Sequence, residues 1–193
     1  EARALGFAEV LSCAGSFSGP IAVVGSARCV WSDLERLGDF NGERMAVKQM
    51  GLHLRGRFKH WAGFHGERFQ WWVPLAGYQI DGDLNTFPRK WVPRRRAMTH
   101  SDEPNPEVQA VWKLDGPRNG TSGLFAVKVA LLLGYAPVIL CGIPMDGTGR
   151  FYDPPGWVGH AIDGLEECER CLPTFAGRVK SMSGRTRDLL GAP

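Results

Sequence analysis

Three side chains in the last third of the chain have the types that suit proton transfer and the release of a phosphate. His160 is a candidate general base, because an unperturbed histidine titrates at about pH 6.5. Tyr152 and Arg150 could stabilise the negative charge that develops on a departing phosphate. Each residue also has a structural alternative, since a Gly-His pair before a helix and a tyrosine beside Pro154 can both serve packing alone.

Two short turns offer the backbone N–H groups that a phosphate prefers. Gly25-Ser26-Ala27-Arg28 follows one apolar run, and Asn119-Gly120-Thr121-Ser122-Gly123 precedes another. Each turn leads into a predicted helix, whose free N–H groups and positive dipole end favour an anion. The first turn lacks the full glycine fingerprint of dinucleotide-binding folds, so a plain tight turn at Gly25 is the alternative.

Two pairs of residues raise the question of a metal. Cys168 and Cys171 have the spacing of zinc ligands, but no second pair accompanies them, so the sequence does not predict zinc. Asp146 and Asp153 could hold Mg²⁺ against a diphosphate, although capping of their own loop is the commoner role of such carboxylates. We therefore predict no required metal, with Mg²⁺ as the alternative for a diphosphate substrate.

The segment from Gly116 to Asp153 should position most of these residues. Apolar residues from Leu124 to Leu132 predict a helix with Lys128 as its only charge, and Gly134 followed by Pro137 should end it. The continuous apolar run over residues 138–141 predicts a strand that is buried on both faces. The polar residues 142–160 then leave the carboxyl end of that strand, where ligands bind in open α/β sheets, and form the predicted active-site loop.

The rest of the chain extends the same pattern. Strands are predicted over residues 20–25, 44–49, 58–64, 108–114 and 178–181, and helices from residue 32, over 161–172 and over 184–190. Ser32 and Glu35 have the spacing of a capping box at the first of these helices. The prediction is an α/β fold: a single Rossmann-like domain over residues 1–193, with a mostly parallel sheet and helices on both faces.

Residues 66–106 are predicted to form an insertion or cover. Aromatic side chains are dense in its first part, where packing under a long loop is expected and stacking on a base or sugar is the alternative. These aromatic residues are Trp71, Trp72, Tyr78 and Trp91. A basic cluster follows, which should be a solvated face, with contact to a phosphorylated or acidic ligand as the alternative. The cluster contains Arg89, Lys90, Arg94, Arg95 and Arg96.

Composition and charge exclude several classes of protein. With 193 residues, 44% hydrophobic and 22% charged, the chain has the size and balance of one globular domain. A net charge of +3 is too small to indicate a nucleic-acid partner. No apolar run approaches the roughly 20 residues of a membrane span, and no signal-peptide pattern precedes the domain, so we expect a cytoplasmic protein. Five irregularly spaced cysteines predict free thiols.

The order of these motifs resembles that of the bacterial sialyltransferases of glycosyltransferase family 42. The resemblance rests on the Gly25 turn, on Thr121-Ser122-Gly123, on Leu133-Gly134-Tyr135 and on Cys141-Gly142-Ile143. It continues through Tyr152 and Gly159-His160, and thus covers most of the chain from about residue 20 onward. The chain is also similar to related domains of unknown function, which include the archaeal hydroxymethyl-dihydropterin diphosphokinases.

In those sialyltransferases one Rossmann-like domain binds a cytidine monophosphate (CMP) sugar without a metal. The resemblance implies that His160 is the general base and that Tyr152, with Arg150 nearby, binds the leaving phosphate. It implies a nucleotide-binding set of Gly25, Ser26, Ala27, Lys48, Gln49, Thr121, Ser122, Gly123 and Gly142. The partners would be a nucleotide-sugar donor and an unidentified acceptor; nucleic acid is not expected, and homo-oligomerisation is left open.

Some positions depart from the family pattern. The family has asparagines at two positions where this chain has Ser26 and either Lys48 or Gln49. The family also has a second phosphate-binding tyrosine near the position that Asp146 occupies in this chain. The segment between Tyr152 and His160 is short, which predicts a reduced lid. Three hypotheses follow: a glycosyltransferase-like enzyme, a Mg²⁺- and ATP-dependent diphosphokinase-like enzyme, and a non-catalytic nucleotide-binding or accessory module of phage type. The retained tyrosine and histidine favour the first, and the departures favour the third.

Overall fold

The computed structural model describes residues 14–54, 58–76, 89–93, 109–111, 121–157 and 163–193. In these ranges seven strands form one sheet, in which every neighbouring pair is parallel. The strands are β1 (Ile21–Val24), β2 (Glu43–Val47), β3 (His60–Ala62), β4 (Arg89–Pro93), β5 (Gln109–Val111), β6 (Val138–Cys141) and β7 (Val179–Ser181). The sheet confirms the predicted α/β fold of Rossmann-like type.

Six helices accompany these strands in the described ranges. They are α1 (Val30–Leu37), α2 (Met50–His53), α3 (Phe69–Ala76), α4 (Ser122–Leu133), α5 (Asp163–Phe175) and α6 (Gly184–Leu190). A 3₁₀ turn, Gly66–Arg68, precedes α3. The predicted helix of the central segment and the predicted strand after it are confirmed, and Gly134 ends α4 in the left-handed conformation at φ 104°.

The strand order places a topological switch beside β1. The order is β5-β4-β3-β2-β1-β6-β7, so the chain builds outward from β1 on one side and then crosses to β6 on the other. Val24 at the end of β1 is in register with Ala46 of β2 and Cys141 of β6. The carboxyl ends of the three central strands are therefore level, and the turns that follow them meet at one place.

Alternation along the strands sends side chains into two separate cores. Ile21, Val23, Val138 and Leu140 pack with α4 on one face, and Ala22, Val24 and Ala46 pack with Trp61 and Trp72 on the other. Nine of the twelve residues of α4 are buried, as its nearly all-apolar sequence requires. Its lone charge, Lys128, donates a hydrogen bond of 2.8 Å to Glu167 of α5. The central helix thus carries no unpaired charge into the core.

The capping-box prediction at Ser32 and Glu35 is wrong. Helix α1 begins at Val30, its N-cap residue is Cys29, and Cys29 makes no capping hydrogen bond through its side chain. The reason is the tight turn before the helix, in which the Val30 N–H already donates to the Ala27 carbonyl at 2.9 Å. Ser32 lies inside the first turn, where its hydroxyl donates to the Cys29 carbonyl at 2.9 Å.

The remaining expectations are partly confirmed, partly wrong and partly outside the described ranges. Lys90 is not part of a solvated face: it is 1% exposed within β4, because strand pairing places it over the core. Trp72 packs as expected, with its ring stacked on Trp61 at 6.0 Å. The same expectation is wrong for Trp71, which is 57% exposed because α3 turns it towards solvent. Helix α5 confirms the predicted helix 161–172 from Asp163 onward, since residues 161 and 162 lie outside the described ranges, and it runs on through Pro173 to Phe175. Tyr78 and Arg94, Arg95 and Arg96 lie outside the described residues, as do residues 1–13.

Candidate functional site

An open cavity of about 220 Å³ lies at the switch point, where the turns after β1, β2 and β6 meet the start of α4. Its position is the one that the sheet topology favours for a ligand. The lining residues come from all four places and from the loop after β6: Gly25, Ser26, Ala27, Val47, Lys48, Thr121, Ser122, Gly123, Gly142, Ile143, Pro144, Met145, Thr148, Arg150, Asp153 and Trp157. We refer to this cavity as the cleft.

Two glycines allow the turns after β1 and β6 to approach each other closely. A Cβ at Gly25 would lie 2.5 Å from the Gly142 carbonyl oxygen and 2.5 Å from the Ile143 side chain. Gly142 has φ +63°, and a Cβ there would lie 2.6 Å from Val30. Both contacts are shorter than packed atoms tolerate, so only glycine fits at either position. Main-chain atoms therefore form the floor of the cleft.

A buried carboxylate fixes the position of this floor. Asp33 of α1 is 0% exposed, and its Oδ2 accepts hydrogen bonds from the Gly142 N–H at 2.8 Å and the Ser183 hydroxyl at 2.7 Å. Its Oδ1 accepts from Arg36, whose guanidinium also donates to the Met182 carbonyl at 3.0 Å. Because both oxygens have partners, Asp33 ties α1 to the loops that follow β6 and β7.

The amino end of α4 forms a second wall of the cleft. Thr121 is the N-cap residue, and its hydroxyl accepts a hydrogen bond from the Leu124 N–H at 3.3 Å. Ser122 is 3% exposed, and its hydroxyl accepts from the Phe64 N–H at 3.4 Å, which links α4 to the end of β3. The positive end of the dipole of a twelve-residue helix thus faces the cavity.

The loop after β6 pairs with the turn after β1 and encloses the cleft. Ala27 and Arg150 form an antiparallel bridge, and the Phe151 N–H donates to the Ser26 carbonyl at 3.0 Å. The Arg28 guanidinium donates to the carbonyls of Asp153 and Pro154 at 3.3 and 2.5 Å. The predicted active-site loop is therefore held by main-chain pairing and by one arginine as far as Trp157, where its described part ends.

Two cations, Lys48 and Arg150, line the cleft together with one carboxylate, Asp153. Burial, and then the nearby Arg150 and Arg68, lower the pKa of Lys48 from its ordinary value of 10.5. The Lys48 side chain forms no ion pair with any described residue. Its backbone is in the left-handed region at φ 52°, held by a hydrogen bond from its N–H to the Ala62 carbonyl at 2.9 Å. An anion in the cleft would relieve both the desolvation and the repulsion between these cations.

Tyr152 and Gln49 lie together at the rim. The Tyr152 hydroxyl donates to Gln49 Oε1 at 3.3 Å, and its ring stacks on His53 at 6.3 Å. The Arg150 guanidinium lies 5.8 Å from the centre of the same ring. Neither Tyr152 nor Gln49 lines the cavity itself, so the tyrosine is positioned beside the cleft rather than in its wall.

The structure brings most of the predicted nucleotide-binding set together. Every member except Gln49 lines the cleft: Gly25, Ser26, Ala27, Lys48, Thr121, Ser122, Gly123 and Gly142. Arg150 lines it too, and Gln49 contacts the predicted phosphate ligand Tyr152. His160 lies outside the described residues, so its role as the base stays a prediction of the sequence.

The two candidate magnesium ligands bind their own loop. Asp146 accepts a hydrogen bond from the Thr148 N–H at 2.9 Å, and Asp153 accepts from the Arg150 N–H at 2.8 Å. Among the described residues, no group of three histidine, cysteine or acidic side chains is placed to hold a metal ion. The carboxylates of Asp146 and Asp153, the candidate Mg²⁺ ligands, thus stabilise turns within the loop after β6.

The cysteines near the cleft are unreactive thiols. Burial raises the pKa of Cys29 to about 11 and that of Cys141 to about 12. Cys29, Cys141, Cys168 and Cys171, the four cysteines within the described ranges, form no disulfide. Because a thiolate is needed for nucleophilic attack, neither cysteine beside the cleft provides a nucleophile at neutral pH.

Sequence reasoning missed Asp33 and Trp157. Asp33 occupies the buried face of α1 together with Val30, at the spacing that a helix gives to its apolar side. A lone carboxylate at such a position was the available signal for a buried structural charge. Trp157 lines the cleft and is 40% exposed, and its contribution depends on the course of the loop, which no local pattern specifies.

Comparisons with known proteins support the fold. The chain is similar in structure to the sialyltransferase CstII from Campylobacter jejuni, solved in complex with a substrate analogue, cytidine-5'-monophosphate, with a TM-score of 0.61. The match covers 90% of this chain and 84% of that one at 13% sequence identity. A scan against models of protein families and a search of curated protein sequences gave no match. Within the described ranges, no helix is both long and apolar enough to cross a membrane.

Proposed function

We propose that the protein is a glycosyltransferase-like enzyme that binds a nucleotide-activated sugar, of the CMP-sugar type, in the cleft. The observation that carries the proposal is the cleft at the switch point, which is lined by Arg150 and by Lys48, a lysine with no ion-pair partner among the described residues. A helix amino end and a glycine floor complete an environment suited to a phosphate. The structural likeness to a sialyltransferase supports the transferase class.

The reaction would be a displacement at the anomeric carbon of the donor sugar. The acceptor hydroxyl gives its proton to His160, and its oxygen forms a bond to the anomeric carbon. The bond from that carbon to the phosphate oxygen breaks, and its electron pair leaves on the nucleoside monophosphate. Lys48, Arg150 and the amino end of α4 would stabilise the phosphate charge, with Tyr152 beside them. No metal is required in this scheme.

A thermal-shift panel with CMP, CDP, UDP, GDP, ADP and ATP, each with and without Mg²⁺, tests the proposal. CMP at about 100 times its dissociation constant should stabilise the fold by roughly 2.7 kcal/mol. We expect stabilisation by CMP that persists in excess chelator. A response to ATP that requires Mg²⁺ would instead support the diphosphokinase-like hypothesis, and no response to any nucleotide would support the accessory-module hypothesis.

Replacement of Lys48 locates the site. Lys48→Met should weaken CMP binding by about 10- to 100-fold, because a hydrogen bond to a charged group contributes about 1.5–3 kcal/mol. Lys180→Met is the matched control, since Lys180 is also a half-buried lysine but lies on β7 at the edge of the sheet. Equal CMP affinity in both variants and in the wild type, measured by calorimetric titration, would place the nucleotide outside the cleft.

A separate variant tests the proposed base. His160→Ala should abolish transfer from a CMP-sugar donor while CMP still stabilises the fold. Transfer at the wild-type rate in this variant would remove His160 from the mechanism without affecting the proposal that the cleft binds the nucleotide.

A further inference from the structure

A second, larger cavity lies between α1 and α2. It has a volume of about 590 Å³ and opens to solvent. Its lining includes Trp31 and Glu35 of α1, Arg44 of β2 and His53 of α2. We call it the α1–α2 groove. None of these four residues lines the cleft, so the two cavities are separate.

The loop after β6 contacts residues that line both cavities. Arg150 lines the cleft, whereas the ring of the next residue, Phe151, contacts the groove residues Trp31 and His53 edge-on at 5.3 and 4.9 Å. The Phe151 N–H still donates to Ser26 in the cleft wall at 3.0 Å.

Three exposed aromatic rings lie beside the two cavities. Among the described residues, the large hydrophobic side chains with the most exposure include Trp31 at 46%, Tyr152 at 40% and Trp157 at 40%. Trp157 lines the cleft, Trp31 lines the groove, and Tyr152 stacks on His53 between them. An exposed aromatic ring beside a cavity offers a flat apolar surface on which a ligand can stack.

The polar groups of the groove have their hydrogen-bonding capacity available. The Glu35 carboxylate and the Arg44 guanidinium both line it, and neither side chain makes a hydrogen bond or ion pair with a described residue. The carboxylate accepts hydrogen bonds and the guanidinium donates them. A sugar ring combines an apolar C–H face, which stacks on an aromatic ring, with hydroxyls that need both kinds of partner.

We propose that the α1–α2 groove binds a saccharide, with the C–H face of a sugar ring on Trp31 and its hydroxyls on Glu35 and Arg44. The binding of a saccharide in the groove does not depend on the proposed function.

Saturation-transfer NMR tests the groove with defined probes. The probes are the methyl glycosides of glucose, galactose and N-acetylglucosamine, together with lactose, each added to the full chain. We expect transfer to the ring C–H protons of at least one probe, and about a tenfold loss of affinity in Trp31→Ala. Trp71→Ala is the matched control, because Trp71 is 57% exposed and lies on α3 away from both cavities.

Absence of transfer to all four probes, or equal binding in Trp31→Ala and Trp71→Ala, would overturn the proposal. CMP titrations of the same three proteins keep the two hypotheses apart. Trp31→Ala should retain wild-type CMP affinity, since Trp31 does not line the cleft. Saccharide binding without CMP binding would overturn the proposed function and support the saccharide site in the groove. CMP binding without saccharide binding would support the proposed function and overturn the saccharide site.

Discussion

Asp33 and Lys48 both carry a charge close to the cleft, and their surroundings are opposite. Asp33 is fully buried, and Gly142, Ser183 and Arg36 together satisfy both of its oxygens. Lys48 is half-buried, repelled by Arg150 and Arg68, and without an ion pair among the described residues. The protein thus supplies hydrogen-bond donors to Asp33, whereas no described residue forms an ion pair with Lys48.

This difference separates a structural charge from a binding charge. A buried carboxylate whose hydrogen bonds are all made contributes rigidity, because any movement would leave a donor unsatisfied. A cation that is desolvated and repelled raises the free energy of the folded chain unless an anion arrives. The comparison predicts that mutation of Asp33 mainly changes stability, and that mutation of Lys48 mainly changes ligand binding.

The largest expected effect is the loss of Asp33. Asp33→Ala should lower the free energy of unfolding by about 3–5 kcal/mol, because the Gly142 N–H and the Ser183 hydroxyl lose their partner in the interior. Urea denaturation measures the change. Asp39→Ala is the control, since Asp39 is exposed just after α1 and should change stability by less than about 0.5 kcal/mol. Equal effects of the two substitutions would remove the structural role that we assign to Asp33.

A second prediction sharpens the comparison at the floor that Asp33 holds. Gly142→Ala should destabilise the fold by about 1–3 kcal/mol more than Gly177→Ala. Both glycines have positive φ, +63° and +71°, but a Cβ at Gly142 meets Val30 and the Gly25 carbonyl oxygen, whereas one at Gly177 meets nothing within 4 Å. The shared strain at positive φ cancels in the difference. Equal urea-denaturation midpoints for Gly142→Ala and Gly177→Ala would mean that the turns after β1 and β6 can move apart without loss of stability.

The central elements could be predicted because their signals are local. The apolar run of α4, the stop at Gly134 and Pro137, and the apolar run of β6 each specify one element without reference to the rest of the chain. The Gly25 turn, the start of α4 and the loop after β6 were predicted from local patterns, whereas Lys48 and Gln49 came from the resemblance to the sialyltransferases. All of these except Gln49 line one cleft, because parallel strands end at one edge of the sheet.

The features that depend on tertiary contacts could not be predicted. The capping box at Ser32 failed because the turn at Ala27 starts α1 earlier, and the burial of Lys90 follows from pairing between distant strands. The left-handed backbone of Lys48 has no local signal, since lysine rarely adopts it. The different roles of Asp33 and Lys48 likewise depend on contacts with segments that are distant in the sequence, so a local pattern does not reveal them.

The smallest predicted effect is a stability change of opposite sign at Lys48. Burial and neighbouring cations lower its pKa in the folded chain below the ordinary value of 10.5, so charged Lys48 is disfavoured on folding. Lys48→Met should therefore raise the free energy of unfolding of the free protein, by about 0.5 kcal/mol at pH 7, while weakening CMP binding. Thermal unfolding of the variant and the wild type without ligand measures the difference.

The sign of the pH dependence follows from the same shift. Between the lowered pKa and 10.5 the unfolded chain carries a proton on Lys48 that the folded chain does not, so wild-type stability gains from Lys48 as pH rises through that window. The advantage of Lys48→Met should narrow as pH rises toward 10.5, whereas the difference between Lys180→Met and the wild type should not follow that course. If the stability difference between Lys48→Met and the wild type stays constant as pH rises toward 10.5, folding does not disfavour the charged form of Lys48. Asp33 and Lys48 would then differ only in their exposure to solvent.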